Sequence, residues 1–160
     1  MNKAETPAEM RAAAALDPRN DLYLIRLAQK LEESGQPSLE VWRQAIAVNP
    51  RRDLSLTQAA IAAELTGGTG DAERLLLQAG QYNHLWLPRW SLANFYARHN
   101  RTKEMQHWAR EAMLRSYADP GALFQLCRNS GASDSELSQI DYPGDATGAG
   151  GVCLLSDPPE

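Results

Sequence analysis

The sequence predicts an all-α protein in which antiparallel helix pairs repeat along the chain and stack into an α-solenoid. Three observations predict it. Short markers punctuate the chain: "LDPRN" at 16–20, "VNPRR" at 48–52 and "YADPG" at 117–121. The first two lie 32 residues apart, the last two about two such intervals apart, and "QYNHL" at 81–85 falls near the midpoint. The stretches between markers carry apolar residues at helical rather than strand spacing. Each stretch then divides at glycine or asparagine into two helix-length pieces. Proline after Asp or Asn stops one helix and opens the next, because it lacks the N–H that an interior turn needs.

The elements follow in order. "PAEMRAAAALDP" reads as the second helix of a preceding unit whose first helix is missing, so residues 1–16 are expected to be half of an incomplete repeat. Unit one opens with "DLYLIRLAQKLEESG", with Leu24, Leu27, Ala28 and Leu31 on one face and Gly35 as its C′ residue. Its second helix is "PSLEVWRQAIAV", with Pro37 in the first turn and Leu39, Trp42, Ala45 and Ile46 on one face. Unit two is "DLSLTQAAIAAELTGG", striped by Leu56, Ala59, Ala60 and Ala63, then "GDAERLLLQAG", capped by Asp71 and lined by Ala72, Leu75, Leu76 and Ala79. Unit three is "WLPRWSLANFYARHN", with Leu92, Ala93 and Tyr96, then "TKEMQHWAREAMLRSY", with Thr102 as N-cap and Met105, Trp108, Ala109 and Ala112 as stripe. A last helix, "GALFQLCRNSG", holds Leu123, Phe124 and Cys127. Residues 132–160 are acidic, Gly/Pro-rich and aperiodic, and read as a tail or linker.

The helix-pair unit, with a large residue, then Leu or Ala, then a small residue in each first helix, resembles the tetratricopeptide repeat (TPR) family. The triplets are Leu24–Leu27–Ala28, Leu56–Ala59–Ala60 and, with a one-residue slip, Trp90–Leu92–Ala93. Turns at Gly35, Gly67 and Asn100 and alanines at Ala45, Ala79 and Ala112 complete the likeness. It covers residues 17–131, about three units. The chain departs from the family pattern at Ser38 and Met105, where alanine is usual, and in the missing terminal proline of unit two. The resemblance implies a right-handed superhelix whose first helices line a concave, peptide-binding groove. The same packing logic stands without the family, since one helix pair cannot bury its apolar face alone.

Chemistry is sparse. His84, His99 and His107 form no i, i+4 pair on one helical face, so no metal site is expected. "TGGTGD" at 66–71 lacks the Lys-Ser/Thr of a phosphate loop and reads as a turn. Cys127 falls on an apolar helical face and Cys153 in the tail, and the pair makes no disulfide framework. No catalytic residues and no cofactor are expected. No apolar run reaches the roughly 20 residues that span a bilayer, and "MNKAETPAEMRAAAALDPRN" has no apolar signal core. If that N-terminus is native, the cytoplasm is the expected location.

Net charge is −4, unevenly spread: −2 over residues 1–84, +4 over 85–117 and −6 over 118–160. A basic third unit points to an acidic partner. With the register above, the groove is expected to present Arg26 and Gln29 from unit one, Gln58 and Thr57 from unit two, and Trp90, Asn94 and either Ala97 or Arg98 from unit three. Trp86 is expected in the turn leading into unit three, Phe95, Tyr96 and Trp108 in the packing, and Arg89, Arg98, Arg101 and Arg110 on a solvated face. The function read from this is a non-enzymatic scaffold binding an extended acidic segment. The alternatives are self-association or docking within a longer protein and, with only a one-unit basic patch in its favour, RNA binding.

Overall fold

The computed structural model describes residues 6–115 together with Gln125 and Arg128. The expected last helix is almost wholly outside the described residues, as are Cys127, Cys153 and the tail 132–160. Residues 6–115 form helices and no strand: α1 (Pro7–Leu16), α2 (Asp21–Glu33), α3 (Leu39–Val48), α4 (Asp53–Leu65), α5 (Thr69–Tyr82), α6 (Trp86–Arg98) and α7 (Thr102–Met113). Each helix packs on the next in sequence, and α4 also meets α6. The first helices of units two and three are therefore neighbours.

The repeat is visible in its turns. Helices α2, α4 and α6 all end with a left-handed residue: Gly35, Gly67 and Asn100, with φ of 65°, 83° and 56°. The N–H of the next residue then reaches back to close the final turn. Gln36 donates to Leu31 O at 2.8 Å, Gly68 to Ala63 O at 2.8 Å and Arg101 to Tyr96 O at 2.9 Å. A Cβ at Gly35 or Gly67 would meet nothing within 4 Å, so the positive φ alone favours glycine there. The second helices end alike too, with the N–H of Asp17, Asn49 and Asn83 donating to Ala13, Ala45 and Ala79.

These shared ends set the register and correct four readings. The third triplet is Arg89–Leu92–Ala93, with no slip, and Arg89 stands where Leu24 and Leu56 stand in the earlier units. Because Gly68 and Arg101 are consumed in closing α4 and α6, the chain enters the next helix at once. Gly68 and Arg101 are the N-caps, and Asp71 and Thr102 already lie inside α5 and α7. Pro37 precedes the N-cap Ser38 rather than lying in the first turn of α3; the Ser38 hydroxyl donates to Glu32 Oε1 at 2.7 Å instead of capping. Trp86 is the first residue of α6 rather than part of the preceding turn. Pro88 does not prevent this, because the first-turn N–H groups of a helix have no partner within it.

Packing follows a small-against-large logic. Ala28, Ala60 and Ala93 of the first helices and Ala45, Ala79 and Ala112 of the second are all buried, which lets the helices approach closely. Trp42, Leu56, Leu92, Phe95 and Met105 fill the space between. The Trp42 indole N–H donates to Glu32 Oε1 at 2.7 Å, which satisfies its one polar atom. Phe95 and Tyr96 meet edge to face at 5.3 Å, and the Tyr96 hydroxyl donates to Glu73 at 2.8 Å. Trp108 is half-buried against the core.

Polar contacts fasten successive units. Asp21, at the start of α2, accepts two bonds from the Arg52 guanidinium just before α4. Asp53, at the start of α4, accepts from the Asn83 amide before α6. Each aspartate also favours its own helix N-terminus electrostatically.

Candidate functional site

An open pocket of ≈ 400 Å³ lies where α4, α5 and α6 meet. It is lined by Ile61, Glu64 and Leu65 from α4, Leu76 from α5, and Trp90, Ser91, Asn94 and Arg98 from α6. Leu76 is buried, Trp90 is half-buried against the core, and Ile61 and Leu65 are 42% and 83% exposed at the mouth. The Trp86 ring leans on Trp90 with centroids 6.2 Å apart.

Polar groups of the pocket are anchored by the scaffold. The Asn94 amide donates to Trp90 O at 2.9 Å, and the Ser91 hydroxyl donates to Leu87 O at 3.0 Å. Arg98 grips Glu64 side-on, Nε to Oε1 at 2.9 Å and Nη2 to Oε2 at 2.7 Å. His99 Nε2 lies 3.1 Å from the same Oε1. Chiefly through the Arg98 hydrogen bond, the Glu64 carboxyl is held below its ordinary value.

Of the residues expected in a groove, Trp90, Asn94 and Arg98 share this pocket. Arg26 and Gln29 are exposed on α2 and Gln58 is half-buried on α4, and none of them lines it. Thr57 is half-buried, and Ala97 packs against the core, which leaves Arg98 as the pocket residue of that pair. In the repeat register Arg26, Gln58 and Ser91 are equivalent, as are Gln29, Ile61 and Asn94, and Glu33, Leu65 and Arg98. Sequence reasoning did not place Ile61, Glu64, Leu65 or Leu76 in the groove, and Leu76 was read as part of the apolar face of its helix. Ile61 and Leu65 did carry a signal, since both fall off the Leu56–Ala59–Ala60–Ala63 stripe that the core requires. A second such signal is Leu22, Leu54 and Leu87, equivalent residues near the starts of three first helices, exposed by 51%, 40% and 49%.

The arginines of unit three are not one free solvated face. Arg98 and Arg101 are exposed but paired, Arg101 with Glu73 at 2.8 Å and Glu104 at 2.7 Å, and its guanidinium lies 4.6 Å from the Tyr96 ring centre. Arg115 pairs with Glu111 at 2.6 Å. Arg89 overturns its expectation outright: it is 5% exposed. Its Nη1 donates to the carbonyls of Asn83 at 3.0 Å and Leu85 at 2.9 Å, pinning the turn before α6, while Nε has no acceptor and lies 3.9 Å from Glu111. Burial, with Arg115 nearby, depresses its pKa from the ordinary arginine value.

Among the described residues, no group of three or more His, Cys, Asp and Glu side chains is placed to hold a metal ion. No helix among them is long and apolar enough to cross a membrane. No protein-family model matches the sequence, and no curated protein is significantly similar to it.

Proposed function

We propose that the protein is a non-enzymatic interaction scaffold of the tetratricopeptide kind. In this reading the helix pairs wind as a right-handed solenoid, and an extended polypeptide segment lies across the first helices. The observation that carries the reading is the pairing of two first helices, α4 and α6, around an open, largely apolar pocket that contains Trp90, Asn94 and Arg98. Aromatic and arginine side chains at such places dominate binding energy in interfaces. The +4 charge of unit three favours a segment of negative net charge. Because its arginines are largely paired, that charge acts as a long-range field more than as free contacts.

The test is capture of partners on the immobilised full chain, comparing wild type with Trp90→Ala and Arg98→Ala. Loss of a partner, with helical circular dichroism unchanged, is the expected result. Normal capture by both variants removes the groove from the reading.

Self-association is the second reading. It is favoured by the exposed Leu22, Leu54, Leu65 and Leu87. Light scattering across a concentration series separates the two, since a strict monomer leaves those side chains to another partner.

A further inference from the structure

The proposed groove has a recognition chemistry of its own at the α4–α6 pocket, and it differs from what net charge implies. Charge is balanced there. Arg98 and Glu64 are the ionisable residues of the lining, and they neutralise each other in a two-point pair. An acidic side chain entering the pocket would gain no uncompensated cation and would lose its hydration against Ile61, Leu65, Leu76 and Trp90. A basic one meets the same penalty. An apolar side chain gains in proportion to the apolar surface it removes from water.

Hydrogen bonding is not saturated to the same degree as charge. Arg98 spends Nε and Nη2 on Glu64, and its Nη1 has no partner among the described residues. Asn94 spends its amide N–H on Trp90 O, and its Oδ1 accepts nothing among the described residues. Arg98 Nη1, a donor, and Asn94 Oδ1, an acceptor, are thus wholly unspent among the described residues, on residues one helical turn apart. A peptide unit offers the complementary pair, a C=O and an N–H. Neither remaining group distinguishes one side chain from another, so selectivity falls to the apolar floor.

We infer that the pocket takes a single uncharged, bulky apolar residue of an extended segment, leucine-like or aromatic, and holds that residue's backbone between Asn94 Oδ1 and Arg98 Nη1. This deepens the groove reading and rests on it. The field of unit three then acts on residues flanking the anchor, not on the anchor itself.

A random-peptide display library selected on the full-length protein tests it, with each enriched peptide re-measured on Ile61→Glu, Asn94→Ala and, as a distant control, Gln78→Ala. The expected outcome is a fixed apolar position in the enriched set, with flanking acids tolerated. Ile61→Glu should weaken those peptides at least tenfold, Asn94→Ala several-fold, and Gln78→Ala not at all. Circular dichroism confirms that each variant is folded. Enriched peptides anchored by an acid and lost on Ile61→Glu would overturn the apolar anchor while leaving the groove reading intact. Enriched peptides indifferent to Ile61→Glu and Asn94→Ala would overturn both. A dimer in light scattering that Ile61→Glu dissociates, with no peptide enriched, would assign the pocket to a second copy and overturn the peptide occupant.

Discussion

At the residue scale, Arg89 shows what a repeat tolerates. Leu24 and Leu56 occupy its place in the earlier units as apolar core residues, whereas Arg89 brings a charge into the same position. Two loop carbonyls compensate part of its desolvation, but Nε remains without an acceptor. Truncation to alanine removes both of these charge-assisted hydrogen bonds, worth about 1.5–3 kcal/mol each, and opens a cavity as well. Arg89→Leu restores the apolar filling of the other units, so it should lose less stability than Arg89→Ala. Urea denaturation midpoints of the two variants check the order; a leucine variant weaker than alanine would show that the position does not accept the apolar filling of the earlier units. The same residue explains why the sequence alone misplaced the third triplet. A pattern search accepts Trp90 as the large residue and slips by one, because arginine does not score as core. The site was legible in part for a related reason. Trp90, Asn94 and Arg98 stand out by type, whereas Ile61 and Leu65 are marked only by falling off the core stripe of α4, and their exposure shows that the core does not use them.

At the scale of the element, the most readable features were the turns. Gly35, Gly67 and Asn100 were legible because few residues adopt a left-handed conformation cheaply, so composition and geometry are tightly linked there. Helix starts were less readable. Asp71 and Thr102 have capping side chains, yet the N–H of Gly68 and Arg101 is spent on the preceding helix, which moves each start forward. A hydrogen bond made by the backbone leaves no trace in residue type. The turn geometry yields its own prediction. Gly67→Ala keeps open space around the new Cβ but must hold φ near 83°, so it should cost about 1–2 kcal/mol. Asn100→Gly relieves the same strain at φ 56° and should cost less than Asn100→Ala. Thermal unfolding of the three variants, followed by circular dichroism, measures both differences.

At the scale of the whole molecule, ion pairs and a tyrosine hydrogen bond join one unit to the next, which makes the array sensitive to pH at both extremes. Arg43–Asp71 at 2.8 Å and Arg98–Glu64 at 2.7 Å each join one unit to the next. Both carboxyls sit below their ordinary values of 3.8 and 4.5, Asp71 mainly through the Arg74 hydrogen bond and Glu64 mainly through that of Arg98. A depressed folded-state value means stability that is present above the ordinary value and lost as pH falls through the lower one. The unfolding midpoint should therefore drop as pH falls below about 4.5, and Glu64→Gln with Asp71→Asn should flatten that dependence. The alkaline side has the opposite sign, and Tyr96 contributes to it. Tyr96 is raised from 10.0 to about 12, first by burial and then by donating its proton to Glu73. Its neutral form is the one the folded state favours, so its contribution is complete below pH 10.0 and disappears as pH rises towards about 12. Tyr96 joins α6 to Glu73 on α5, so its ionisation places two anions across the contact between units two and three. Stability should fall over that interval in the wild type, and the fall should be shallower in Tyr96→Phe, which keeps the ring against Phe95 and removes the titrating group. Tyrosinate absorbance recorded alongside circular dichroism tests the link directly. The last tyrosine to ionise should do so together with the loss of helix, and ionisation of all tyrosines well before unfolding would show that Tyr96 does not hold the two units together.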